Sequence, residues 1–343
     1  MNTADRMDLL TRYTEEVVTE AELEELLEGE PSAYIGYAPT GEMHIGHFTT
    51  IRKLADFQRA GVDVTVLIAD LHAHLDSEKS PWDLLEARSE YYEESIRAML
   101  DSAGGDPDAV DFVRGREFQL DEAYTLDMYR MAAETTVSRA KRAGSEVVRE
   151  SDSPNLGGLI YSLMQSLDVK HLDADIAYGG IDQRGIYMLG REILPDHGGE
   201  APVCLFAPLL SGLSGGKMSA SEAGSKINLT DDTDQVAEKI TGAYCPQGEV
   251  EDNGVLEYVR YLVFPIIEQR GEDFVVERPE EYGGDLAFED YDALEEAYVA
   301  GDLHPQDLKN AAAGYIDEAI APIRERLTDR PELLAEAYPE HHD

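Results

Sequence analysis

Hydrophobic and polar positions change period in blocks along this chain, and each block predicts an element. Thr19-Glu20-Ala21-Glu22 is a capping-box pattern. It opens a helical run over 23–27 that Gly29 closes. Residues 33–37, Ala-Tyr-Ile-Gly-Tyr, read as a strand; Pro39-Thr40-Gly41 turns the chain, and a helix runs from about 44 to 59. Gly61 ends that helix, and 62–69 is an apolar, β-branched run of the kind buried on both faces of a sheet. Strand, helix and strand within about forty residues make a βαβ unit and predict a parallel sheet. Residues 81–150 read as mostly helical, with amphipathic spacing over 82–100 and 117–137. A strand returns near 175–178, a helix near 183–194 and a strand near 203–208. After a glycine-rich loop at 212–216, the pattern beyond 228 is helical again, broken by Gly and Pro at 246–254, 279–284 and 301–305.

Composition changes the surface of this picture more than its core. The 343 residues hold 28 Lys plus Arg against 71 Asp plus Glu, a formal charge of −43. With 43% hydrophobic residues the chain is not a disordered polyanion. The acids are spread along its length, which suits a solvating surface in concentrated salt, where like charges are screened. No apolar run approaches the roughly 20 residues a bilayer requires. The first ten residues lack the basic and apolar regions of a signal segment, so no membrane and a cytoplasmic location are expected. Cys204 and Cys245 have no metal-ligand spacing, so neither a disulfide framework nor a metal site is predicted. On charge alone, a polyanionic partner would be excluded.

Two segments carry phosphate chemistry. His44-Ile45-Gly46-His47 sits where the first strand turns into its helix, and a helix N-terminus offers free N–H groups to a phosphate. Two imidazoles three apart on a helix share a face and can reach one anion, while Gly46 lets a flat ring approach the backbone. A bare His-x-x-His is usually a surface pair; the strand and Pro-x-Gly turn before this one favour ATP binding with charge stabilisation at the α-phosphate. Lys217-Met218-Ser219-Ala220-Ser221 follows a glycine-rich stretch, and such a mobile loop can fold a lysine over a pyrophosphate. A third pattern, Tyr161, Gln165 and Asp168 at i, i+4 and i+7, places an aromatic, an amide and a carboxylate along one helix stripe. That stripe suits a small polar ligand better than a core, which would be apolar.

The first two segments resemble the paired signatures of class I aminoacyl-tRNA synthetases. The first match is complete. The second departs at Ala220, where the family has a second lysine, leaving Lys217 as the carrier in a pattern similar to archaeal tyrosyl enzymes. The 161–168 stripe resembles the substrate helix of tyrosyl-tRNA synthetases. That resemblance implies that Tyr161 and Gln165 hold the substrate ammonium, and that Asp168 accepts the phenolic hydroxyl with Tyr34 as second partner and Gly36 alongside. Gly180-Ile181-Asp182-Gln183 resembles the family's ribose and amino-acid segment, giving Asp182 to the ATP ribose and Gln183 to tyrosine. Thr40, Gly46, Ser219 and Ser221 would complete the ATP contacts, with His44, His47 and Lys217 acting in the chemistry.

The implied fold is α/β: a Rossmann-like parallel-sheet catalytic domain over 31–212 with a helical insertion near 81–150, then an α-helical anticodon-binding domain over 228–343. Residues 1–30 would be a helical extension and 213–227 the mobile loop. The implied activity is tyrosine activation by ATP to tyrosyl-adenylate and pyrophosphate, then transfer to the 3′ end of its tRNA. Mg²⁺ would come with ATP, with no tightly bound cofactor, in a homodimer.

A tRNA partner requires the few basic residues to be focused. Arg139, Lys141, Arg142 and Arg149 lie in one short window with a single acid, Glu146. By resemblance this window and Arg184 meet the acceptor stem. Pro279 and Tyr282, with His304 and Asp307, resemble the anticodon-binding part of archaeal and eukaryotic tyrosyl enzymes; Tyr282 would stack a base and Asp307 accept from a guanine edge. Residues 1–30 and 328–343 carry no motif. A tryptophanyl enzyme is disfavoured by Asp168 with Tyr34, because an indole has no hydroxyl. A small nucleotidylyltransferase would lack the Lys217 loop, and an inactive tRNA-binding paralogue would have lost His44, His47, Lys217 or Gln183.

Overall fold

The parallel pair predicted at 33–37 and 62–69 forms, and a sheet grows outward from it on both sides. The structure, a computed structural model, describes residues 1–76, 79–147, 155–215 and 226–339. In chain order come α1 (Thr3–Thr11), β1 (Glu16–Val18), α2 (Glu20–Leu26), β2 (Ser32–Tyr37), α3 (Ile45–Arg59), β3 (Asp63–Ile68), α4 (Asp70–Leu75) and α5 (Leu85–Ser102). Next are β4 (Val110–Arg114), α6 (Glu122–Glu134), α7 (Val137–Ala143), α8 (Leu156–His171), β5 (Ile176–Gly180), α9 (Arg184–Ile193) and β6 (Val203–Ala207). The remainder holds α10 (Thr233–Gly242), α11 (Gly254–Tyr258), α12 (Phe264–Arg270), β7 (Phe274–Val276), β8 (Leu286–Phe288), α13 (Tyr291–Ala300), α14 (Pro305–Thr328) and α15 (Pro331–Ala337).

The large sheet has the order β1-β6-β5-β2-β3-β4. All neighbours are parallel except β1, which runs antiparallel to β6. The chain winds outward from β2 through β3 to β4, then returns to β5 and winds the other way. This is a doubly wound, Rossmann-like sheet, and its crevice opens at the carboxyl ends of β2 and β5, where the direction reverses.

Four short strands were hidden from the sequence pattern. β4, Val-Asp-Phe-Val-Arg, lies inside the stretch read as helical; an edge strand with polar positions and five residues leaves too little alternation to stand out. Its presence makes α5 the crossover between β3 and β4, part of the winding itself. β1 has only three residues, and β7 pairs with β8 in a region read as helical.

One apolar cluster runs from Phe48 and Ile51 of α3 through Tyr91 and Ile96 of α5 to Ile316 and Ile320 of α14, so the helices beyond residue 228 pack directly on the sheet's covering layer. Within that layer is a buried ionic knot. Asp56 of α3 meets Arg12 at 2.6 Å, Arg52 at 2.8 Å, Lys53 at 3.5 Å and Arg59 at 3.7 Å. Burial opposes ionisation of Asp56, but Arg52, Lys53 and Arg12 outweigh it and hold the carboxyl below its usual range. Lys53 also donates to the C=O groups of Leu9 and Arg12, both at 2.6 Å, and burial brings its ammonium down to about 7. Arg12 and Tyr13 reach Glu268 of α12, tying the N-terminal segment to the helices beyond residue 228.

Candidate active site

β2 ends at Tyr37 and the chain turns through 38–43 before α3 begins. His44 is the N-cap of α3, with extended backbone at φ −142°. The two imidazoles therefore do not stand one above the other on a helix face, as the spacing alone suggests; His44 precedes the first turn. Its Nδ1 accepts the Gly46 N–H at 3.1 Å, while His47 Nδ1 accepts the His44 N–H at 3.2 Å. The ring centroids are 4.3 Å apart. Because each Nδ1 is an acceptor, each Nε2 carries the proton and is a donor. Burial lowers His44 to about 2 and His47 to about 4, with Lys226 adding to the effect on both. At neutral pH the turn therefore presents two neutral N–H donors.

The second group of residues stands on α8. Asp168 is wholly buried, and its Oδ1 accepts from Gln119 Nε2 and from the Tyr124 hydroxyl, both at 2.8 Å. Its Oδ2 has no partner and lies 3.5 Å from His72 Nε2, which also has none. Burial raises the Asp168 carboxyl to about 7, against the pull of Gln119 and Tyr124. Burial lowers His72 to about 3, so that ring is neutral. The Gln119 amide faces His72 Nδ1 at 3.5 Å, which leaves the proton on Nε2. Tyr161 meets His72 edge to face at 4.8 Å. Gln165 donates to Gln183 Oε1 at 3.0 Å, and its own Oε1 is bare. Tyr34, expected as the hydroxyl's second partner, donates to the Gln165 C=O at 3.2 Å.

Both groups line one cavity of about 440 Å³. Tyr34, Gly36, Tyr161, Gln165, Asp168 and Gln183 face it, and so do Thr40, His44, Gly46, His47 and Asp182. Its place, beyond the ends of β2 and β5, is the topological switch point. Lys217, Ser219 and Ser221 lie outside the described residues, as does Arg149. The chain on either side of them is informative. Ile45 N–H donates to the Ile227 C=O at 3.0 Å and His44 pairs with Asn228, so the segment after the lysine loop returns onto the histidine turn.

Sequence reasoning missed His72, Gln119 and Tyr124. His72 was visible as part of an Asp-Leu-His-Ala-His run just past a strand. Gln119 and Tyr124 carry no local signal; they follow β4, and only the parallel pairing of β4 with β3 brings them to Asp168.

The basic residues assemble elsewhere. A Cβ on Gly185 would lie 2.4 Å from the Ala143 C=O, so the end of α7, which carries Arg139, Lys141 and Arg142, packs closely on the start of α9, which Arg184 opens. Lys141 and Arg142 are exposed. Arg139 pairs with Glu192 at 2.6 Å, and Arg184 grips both oxygens of Glu16 at 2.5 and 2.8 Å. Pro279 starts the short turn that carries Tyr282, which is 68% exposed. His304 caps α14 and Asp307 is in its first turn. Arg278 joins the two segments by donating to the C=O groups of Gly284 at 2.9 Å and Asp302 at 3.2 Å.

A family model described as class I tRNA synthetases (W and Y) matches residues 26–321. The tyrosine--tRNA ligase of Haloarcula marismortui is 73% identical over 343 residues, covering 100% of this chain and 99% of its own. That of Natronomonas pharaonis is 69% identical and covers 100% of both chains. Among solved structures, tyrosyl-tRNA synthetase complexed with L-tyrosine from Archaeoglobus fulgidus superposes with a TM-score of 0.89 at 43% identity, covering 95% of this chain and 100% of that one.

Proposed function

The chain belongs to the class I tRNA synthetases of the tryptophan and tyrosine family, and from that premise we propose how its residues divide the work. It is an ATP-dependent aminoacyl-tRNA synthetase that joins tyrosine to tRNA. The tyrosine carboxylate attacks the α-phosphate in line, pyrophosphate leaves, and the tyrosyl group then passes from the adenylate to a ribose hydroxyl at the tRNA 3′ end. No protein nucleophile takes part; positioning and electrostatics carry the reaction.

The observation that carries the substrate reading is the half-satisfied Asp168. One carboxylate oxygen is occupied by Gln119 and Tyr124, and the other is bare inside the cavity. The substrate phenol donates to that oxygen and accepts from His72 Nε2–H, satisfying two stranded atoms at once. Phenylalanine would leave both unpaired in a dry site. Tyr161, Gln165 and Gln183 hold the amino-acid end, with the bare Gln165 Oε1 as acceptor for the ammonium. Thr40, Gly46, the two imidazoles and Asp182 take the nucleotide, and Mg²⁺ enters as part of the ATP substrate. Lys217, with Ser219 and Ser221, is assigned to the phosphates by its motif alone.

For tRNA, the crossing of α7 and α9 gives an acceptor-stem surface of Arg139, Lys141, Arg142 and Arg184. Pro279, Tyr282, His304 and Asp307 form an anticodon reader, joined by Arg278. Exposed apolar side chains on α6 and α7, Leu126, Tyr129 and Val137, support a homodimer. The cytoplasm, where ATP and tRNA meet, is the proposed location.

The test is tyrosine-dependent exchange of labelled pyrophosphate into ATP in molar potassium chloride. Exchange with tyrosine, and none with phenylalanine or tryptophan, is expected. Exchange with tryptophan would reassign the pocket, and no exchange at any salt concentration would remove the activity.

A further inference from the structure

Helix α15 and Tyr338, which carry no motif, close on the histidine-turn side of the site. Past Thr328 the chain turns and lays α15 against α5, and Tyr338 at its end is 1% exposed. The Tyr338 ring stands edge-on to Tyr91 with centroids 5.6 Å apart, and the Arg88 guanidinium lies 4.6 Å over its face. Arg88 Nε donates to the Ala337 C=O at 2.9 Å, and its Nη1 to the Lys79 C=O at 2.8 Å and to Ser80 Oγ at 3.3 Å.

From this knot, several contacts lead onto the turn before His44. Ser80 Oγ donates to the Pro39 C=O at 3.0 Å. The Tyr91 hydroxyl accepts the Met43 N–H at 3.2 Å, and the Tyr92 hydroxyl donates to the Gly41 C=O at 2.7 Å. The Tyr92 ring lies 6.3 Å from His47, edge to face. Residues 39–43 form no helix or strand, and apart from the Thr40 N–H, which donates to the Ala38 C=O, several of their backbone groups find partners in side chains. Those partners come from Arg88, Tyr91 and Tyr92, at i, i+3 and i+4 on one face of α5, directly or through Ser80. That face is covered by Tyr338.

We propose that Arg88 and Tyr338 are positioning residues for adenylation: the chain's end clasps the 39–43 turn and so sets His44 and His47 against the nucleotide. The proposal rests on the reading that this turn holds ATP. Tyrosine recognition hangs on α8, α4 and the loop after β4; α4 meets the clasp through His74, whose Nδ1 lies 3.2 Å from the Ser80 C=O, while His72 and Asp168 take no part in it. A merely structural role would loosen both halves of the site together.

The experiment is steady-state pyrophosphate exchange on the full chain with Tyr338→Leu and Tyr338→Phe. Leucine keeps apolar volume and removes the aromatic face; phenylalanine keeps the face. Tyr338→Leu is expected to lower kcat/KM for ATP about 10-fold, because small misplacements of reacting groups are costly. The dissociation constant for tyrosine, by equilibrium dialysis, should stay within about twofold, and Tyr338→Phe, which loses only the hydroxyl's contact with Tyr92, should restore most of the ATP term. An unchanged ATP term in Tyr338→Leu, or tyrosine affinity lost in proportion, overturns the clasp. If Tyr338→Leu fails to fold, Arg88→Gln is read by the same two measurements. Absence of exchange in the unsubstituted protein would instead overturn the activity on which the clasp rests.

Discussion

The Asp168 group and the histidine turn line the same cavity and are prepared in opposite ways. Around Asp168 the fold leaves polar atoms stranded: Asp168 Oδ2, His72 Nε2 and Gln165 Oε1 have no partner. At the turn it binds the inner nitrogen of each imidazole to backbone, fixing the outer one as a donor. The first arrangement recognises by relief: a ligand of the right chemistry removes an existing penalty, and a near relative does not. The second stabilises by supply: oriented donors wait for charge that appears only as the reaction proceeds. On the proposed reading, one cavity separates choosing from accelerating.

Substitution should break that division cleanly. The largest effect is expected from His47→Ala, which removes a preorganised donor and should lower kcat for adenylation on the order of 10²–10³-fold. Tyrosine affinity should barely move, which rapid-quench adenylate formation alongside equilibrium dialysis would check. Next, Asp168→Asn should shrink the preference for tyrosine over phenylalanine by about 10–100-fold, the worth of one buried partner, read as the ratio of kcat/KM values in exchange.

The same substitution sharpens the comparison through stability. A carboxyl raised to about 7 in the folded protein binds a proton there that the unfolded chain has already lost, so it subtracts stability as pH rises from about 4 to 7. Asp168→Asn lacks this penalty. Its melting temperature should exceed the parent's above pH 7, by about 1–4 kcal/mol of stability, with the advantage fading toward pH 4. The smallest effect is a contrast in pH profiles. The ATP term should stay flat from pH 6 to 8, because both imidazoles remain neutral, while the KM for tyrosine should rise as pH falls below 7 and Asp168 takes up its proton.

How much of this was legible in the sequence depended on where the information sat. The first βαβ unit, the histidine turn and the α8 stripe could be read because each is local: period, turn chemistry and helical spacing lie within a few residues of the group they place. Gln119 and Tyr124 were not readable, since nothing near them points to a carboxylate on α8. That meeting is made by β4, a strand too short and too polar to announce itself. His44 shows a subtler gap. Its position was evident, but its role as N-cap, and so the tautomer of both rings, came only from the backbone. Tyr338 was silent for the simplest reason: an isolated aromatic near a chain end carries no period.

Salt ions screen only the charges they can reach. On this chain they reach an acidic shell whose repulsion grows as salt is withdrawn. They do not reach Asp56, which is 1% exposed, or Lys53, also 1% exposed. The centre of the knot on α3 is therefore screened far less by salt than the acidic shell is. Because α3 begins at the histidine turn, the donors proposed to face the nucleotide are moored to charges that are insulated from the surrounding solvent.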